Sequence, residues 1–163
     1  MGIININFNI KSMVYPGKAA SCGINYNKLY RIPRKMYGKS YPENIPLKDQ
    51  IHFIFVKNKN LGLDCKNLII YFHGNSENAC DPIEQMEKLN KKLETHSCIV
   101  EYPGYGLSYK KTDINPELMK TDAEAVFDFL TDKIGFLDQN IIIMGRSIGT
   151  GPAIHLASVK KKH

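Results

Sequence analysis

At 163 residues the chain is long enough for one domain with a real core, yet short for α/β architectures, which often run to roughly 200–250 residues. Its 43% hydrophobic and 23% charged residues exclude a disordered tail, and a net charge of +6 spread over scattered Lys and Arg, with no aromatic-basic platform, argues against nucleic acid as a partner. The four cysteines, Cys22, Cys65, Cys80 and Cys98, form no CxxC pair and no metal-ligand spacing with histidine, so neither a disulfide framework nor a metal or other cofactor is expected, and a reducing cytoplasm is the simplest compartment.

The opening MGIININFNIKSM lacks a basic region followed by an apolar core, and no apolar run approaches the roughly 18 residues that span a bilayer. Ile6 stands where a myristoylation signal needs Ser or Thr. Residues 1–50 are rich in Asn, Lys, Tyr and Pro, with Pro16, Pro33, Pro42 and Pro46 breaking any sustained period; they read as an irregular leader with room for one short strand. Residues 51–163 read as the folded domain.

IHFIFV (51–56) is a strand-length β-branched and aromatic run closed by the polar KNKN, and LIIYF (68–72) follows without alternation. Unbroken apolar runs fit strands buried on both faces, as in a parallel sheet covered by helices. Asp81-Pro82 opens a segment to about Glu94 in which Ile83, Met86, Leu89 and Leu93 recur at helical spacing, with Asp81 as the expected N-cap. CIVEY (98–102) is the next strand, and Asn115-Pro116 starts a helix carrying Leu118, Met119, Ala123, Val126, Phe127 and Leu130. IIIM (141–144) is the strand after that. Strands alternating with helices predict an α/β fold: a mostly parallel, twisted sheet with helices on both faces.

In such sheets ligands gather beyond the carboxyl ends of the strands, which points to the loops after Phe72, Tyr102 and Met144. The last reads Gly145-Arg146-Ser147-Ile148-Gly149, a buried strand running into Gly-x-Ser-x-Gly and then a helix-compatible segment, as a nucleophile elbow requires. The bare motif arises by chance in roughly one chain of this length in twenty, so the flanking strand and helix carry the reading. Ser147 is the candidate nucleophile. His73 and Gly74 begin the loop HGNSENACD at the place of an oxyanion loop, and the backbone N–H groups of Asn75 and Ile148 are the candidate oxyanion donors. His73, Gly74, Tyr105 and Arg146 are candidate substrate-binding residues, and Tyr105 with Ser108, in PGYGLS, is expected to line a pocket. No third glycine follows Gly104-x-Gly106 at dinucleotide-binding spacing.

YFHGNSEN, VEYPGYGLS and IIIMGRSIGTGPAIHLAS together resemble the eukaryotic α/β-hydrolase-domain proteins of the branch containing protein depalmitoylases and serine-aminopeptidase-like hydrolases. SMVYPGKAAS and LYRIP are similar to that branch's proline-bearing lead-in. The resemblance implies an α/β-hydrolase fold, cut off after the elbow helix, and an ester or thioester hydrolase in which Ser147 forms an acyl-enzyme. It implies a small-molecule or acyl-protein ester as substrate and is compatible with peripheral attachment to membranes, although the depalmitoylases' cysteine-rich, acylated N-terminus is represented here by Cys22 alone.

The family's triad runs Ser, then Asp or Glu, then His, whereas residues 148–163 contain no acidic residue. His155 falls about 12 Å along the following helix at roughly 1.5 Å per residue, too far to serve as base. A structural role is expected of His73 itself, and His52 and His96 are expected at the opposite sheet edge. His163 ends a lysine-rich tail. The expectation is therefore the N-terminal part of a hydrolase, with acid and histidine in sequence beyond residue 163; the alternative is a truncated, non-catalytic binding protein. The sequence carries no signal for oligomeric state.

Overall fold

The computed structural model describes residues 29–34, 45–62, 65–109 and 113–160. The leader up to residue 28, with SMVYPGKAAS and Cys22, and the tail with His163 lie outside the described residues.

Among the described residues five strands form one sheet: β1 (Leu29–Pro33), β2 (Gln50–Val56), β3 (Leu68–Phe72), β4 (His96–Val100) and β5 (Ile141–Gly145), in the order β1-β2-β4-β3-β5. β4, β3 and β5 run parallel, Phe72 pairing with Val100 on one side and Gly145 on the other. β2 is antiparallel to both β1 and β4, with Phe53 opposite Val100. This corrects the parallel pairing read from its apolar run: a strand buried on both faces needs apolar residues on both, whatever its direction. β1 belongs to the segment read as leader and pairs along β2.

Alternate residues of each strand face opposite layers. Phe53, Ile70, Phe72, Cys98 and Val100 join one core with α2 (Pro116–Asp128) and α3 (Thr150–Lys160), through Met119, Ala123, Val126, Phe127, Ala153 and Leu156. Ile54, Val56, Ile69, Tyr71 and Ile99 form the other core with Met86 of α1 (Ile83–Leu93). Helices thus cover both faces, as the alternation of strand and helix predicts.

Asn115 caps α2 by accepting from the N–H groups of Glu117 and Leu118, at 3.0 and 3.4 Å. Asp81 does not cap α1. Pro82 occupies that place without a side-chain bond, and Asp81 Oδ2 instead accepts from Asn78 N–H at 3.0 Å within the preceding loop.

Cys80 is disulfide-bonded, whereas Cys65 and Cys98 are free. The spacing of the cysteines, which indicates no disulfide framework, gives no sign of this bond. No helix among the described residues is long and apolar enough to cross a membrane.

Candidate functional site

β5 ends at Gly145, and the chain turns through Ser147 into a single 3-10 turn and then α3. Ser147 has φ +52°, a left-handed conformation that costs an L-residue on the order of 1–2 kcal/mol and leaves the side chain exposed at the apex of the turn. Two glycines make the turn sterically feasible. A Cβ on Gly145 would stand 2.4 Å from Gly149 O and 2.9 Å from Ala153 Cβ; one on Gly149 would stand 2.3 Å from Phe72 O. The strand-to-helix crossing is therefore tight enough to exclude any side chain at either position. Arg146 N–H continues the ladder by donating to Phe72 O at 3.0 Å, and Thr150 Oγ1 donates to Ser147 O at 2.6 Å.

The close approach of Gly149 to the carbonyls of Phe72 and His73 sets the serine turn beside the loop after β3. In that loop Gly74 N–H donates to Glu77 Oε2 at 2.8 Å, and Glu77 Oε1 pairs with the Arg146 guanidinium, joining the loop to the serine turn. Asn75 Oδ1 accepts from Tyr105 Oη at 2.5 Å. His73 is fully buried: Nε2 meets Glu101 Oε1 at 2.9 Å and Nδ1 meets Gly74 O at 2.9 Å. Tyr102 Oη donates to His73 O at 2.7 Å, and burial, with Glu101 adding to it, pushes its phenol well above the usual range, so this donor keeps its proton.

Ser147, Ile148, Arg146, Gly74, His73, Asn75 and Tyr105 are thus neighbours at one end of the sheet, the carboxyl ends of β3 and β5. Within the cluster, the side chains of His73 and Tyr105 are buried beneath the loop with their polar atoms engaged inside the protein, so neither offers an open contact to a ligand; Ser108 is buried as well. Arg146 and Ser147 are exposed.

His155 Nε2 meets Glu124 Oε1 at 2.7 Å, tying α3 to α2. His96 lies at the opposite edge, where Nδ1 accepts from Asn58 N–H at 3.0 Å. His52 does not. Because β2 runs antiparallel, His52 sits at the same edge as the serine turn, its carbonyl accepting from Glu101 N–H at 2.9 Å.

Glu77 and Glu101 escaped the sequence reading. An acidic residue closing the apolar run CIVEY, just before a glycine-rich turn, was the available signal for Glu101. A cavity of about 180 Å³, lined by Phe53, Phe55, His96, Phe129 and Phe136, opens at the far edge of the sheet and takes no part in this cluster.

No family model matches the chain. It is 30% identical over 122 residues to L404 of Acanthamoeba polyphaga mimivirus, a protein named for the α/β-hydrolase family, covering 74% of this chain and 45% of that protein. It is also 30% identical over 96 residues to human α/β-hydrolase domain-containing protein 17B, covering 58% of this chain and 32% of the relative. The matched stretches therefore span less than half of these relatives. Among solved structures, a cold-adapted esterase from an Arctic intertidal metagenomic library superposes with a TM-score of 0.53 at 19% identity, over 68% of this chain and 51% of that one. An α/β hydrolase from the metagenome of Lake Arreo, Spain, does so with a TM-score of 0.53 at 14% identity, over 91% of this chain and 44% of that one. Sheet, helices and likenesses together define a member of the α/β-hydrolase superfamily. Within it, the chain belongs with the α/β-hydrolase-domain proteins.

Proposed function

We propose that the chain carries the nucleophile side of a serine hydrolase acting on carboxylic esters or thioesters. Ser147 Oγ attacks the carbonyl carbon, its proton passes to a general base, and the alcohol or thiol leaves; water then cleaves the acyl-enzyme by the same route. Backbone N–H groups of Asn75 and Ile148 face the developing oxyanion, while Gly74 and the exposed Arg146 guanidinium border the substrate. His73 and Tyr105 act from beneath, as supports. In this reading acid and base come from sequence beyond residue 163.

The observation that carries it is the positive φ of Ser147 between two glycines too crowded to bear a Cβ. A serine in an ordinary turn has no need of that strain, whereas a nucleophile held clear of its own strand and helix does. The relatives are named as hydrolases and, among the structures, as esterases, which supports hydrolysis as the reaction class. In the natural protein, Ser147→Ala is expected to lower hydrolysis of a p-nitrophenyl ester by at least 10³-fold, on the scale of triad knock-outs. Unchanged hydrolysis refutes the proposal.

A second reading, a non-catalytic binding protein, is favoured by one fact. Each of the four described histidines is engaged elsewhere: His73 with Glu101, His155 with Glu124, His96 with Asn58, and His52 with Gln50. It predicts that a fluorophosphonate probe leaves Ser147 unlabelled in the natural protein, since an unactivated serine is a weak nucleophile.

A further inference from the structure

Glu101 is a buried carboxylate that the hydrolysis steps above do not use. Three groups converge on it: Oε1 meets His73 Nε2 at 2.9 Å and accepts from Tyr102 N–H at 3.2 Å, and Oε2 accepts from Ala79 N–H at 3.1 Å. Space for it is reserved by Gly106, at φ +52°, where a Cβ would stand 2.0 Å from Oε2. One carboxylate therefore ties the loop after β4 to both ends of the loop after β3.

The other side of the imidazole carries the consequence. Nδ1 lies 2.9 Å from Gly74 O, and a carbonyl only accepts, so Nδ1 bears a hydrogen and donates. In a trans peptide the C=O and N–H lie in one plane and point in opposite directions, so anchoring Gly74 O fixes the direction of Asn75 N–H. Tyr105 Oη, at 2.5 Å from Asn75 Oδ1, steadies the residue after that peptide, and Tyr102 Oη holds the carbonyl before it. A rotated peptide would turn its carbonyl oxygen toward the substrate, where it would repel an oxyanion.

We infer that Glu101 and His73 are positioning residues: the carboxylate fixes the imidazole, and the imidazole fixes the Gly74–Asn75 peptide so that its N–H faces the serine turn. The consequence for catalysis rests on the hydrolase reading; the orientation of the peptide does not.

Two measurements test it. In the natural protein, Glu101→Gln is expected to lower kcat for a p-nitrophenyl ester by tenfold or more with KM within about twofold, since the donor it aligns acts in the transition state. Asn115→Ala, which loosens the cap of α2 away from the site, should leave kcat within twofold, separating positioning from general destabilisation. In the 163-residue chain, amide hydrogen exchange at Gly74 and Asn75 should quicken at least tenfold in Glu101→Gln, with exchange in α2 unchanged. Equal exchange and equal kcat overturn the inference. If Ser147→Ala leaves hydrolysis intact, the hydrolase reading falls and the exchange measurement alone decides the peptide's anchoring. Should Glu101→Gln fail to fold, Gly106→Ala displaces the carboxylate without removing it and is read in the same way.

Discussion

His52 is buried on β2, three strands across the sheet from β5, with Gln50 Oε1 3.1 Å from its Nε2, and burial first, then the nearby charges of Arg31 and Arg34, lower its pKa from 6.5 to about 4. The folded chain thus holds this imidazole neutral where the unfolded chain protonates it. Its contribution to stability is fully present above pH 6.5 and is lost as pH falls toward 4, by about 3 kcal/mol over the whole span. Urea unfolding at pH 7 and pH 4.5 is expected to show a loss on this scale in the wild-type chain and a much smaller one in His52→Gln; equal acid slopes would remove His52 as the cause. The same residue shows what sequence could and could not reveal at this scale. Ser147 and its two glycines were legible because a strained turn demands particular residue types at fixed spacing. Glu101, Glu77 and the position of His52 were not, because each depends on which strands lie side by side and in which direction.

Among the elements, α1 is fixed by a polar contact rather than by its apolar stripe alone. Asn90 is fully buried in its last turns: Nδ2 donates to Val56 O at 3.0 Å, Oδ1 accepts from Thr95 Oγ1 at 3.1 Å and from Ser97 Oγ, and its carbonyl accepts from Asn58 Nδ2 at 2.7 Å. Helix, end of β2 and start of β4 thus meet in one side chain. Asn90→Ala leaves a carbonyl and two hydroxyls buried without it, and at about 1–3 kcal/mol per orphaned group, partly recovered by relaxation, a loss of about 3 kcal/mol is expected. Chemical denaturation measures it, and a loss below about 1 kcal/mol would mean that water replaces the amide. The helical period of Ile83, Met86, Leu89 and Leu93 made α1 legible, yet the same period marks Asn90 only as a polar residue on a helix. Strand direction behaved likewise. The apolar run of β2 located it, but its antiparallel course follows from pairing with β1, which the proline-rich leader composition concealed.

Across the whole molecule the two edges of the sheet differ. β1 is short, ends in Pro33, and is followed by Arg34, whose Nε and Nη2 bind Asp122 of α2 at 2.6 and 2.8 Å. A proline and a neighbouring charge both discourage another strand from adding there. β5, at the other edge among the described residues, carries neither proline nor charge: it reads IIIMG, with Ile142 46% exposed, and in α3 beside it Ile154 is 69% exposed and Val159 45%. One side of β5 carries the ladder to β3, and on the other no strand pairs with it among the described residues, the combination with apolar side chains that invites edge-to-edge pairing. The 163-residue chain is therefore expected to self-associate through β5 at concentrations of about tens of micromolar. Sedimentation equilibrium should give a weight-average mass above 18.5 kDa that rises with concentration, and Ile142→Lys, which sets a charge on the edge, should return it to the monomer value. A wild-type chain that remains at monomer mass throughout, or association that Ile142→Lys leaves unchanged, would show that β5 is not the adhesive edge. Because β5 also supports the serine turn, association that covers it should slow amide exchange in residues 141–145 while leaving β1 unaffected, which distinguishes pairing at this edge from collapse of the whole sheet.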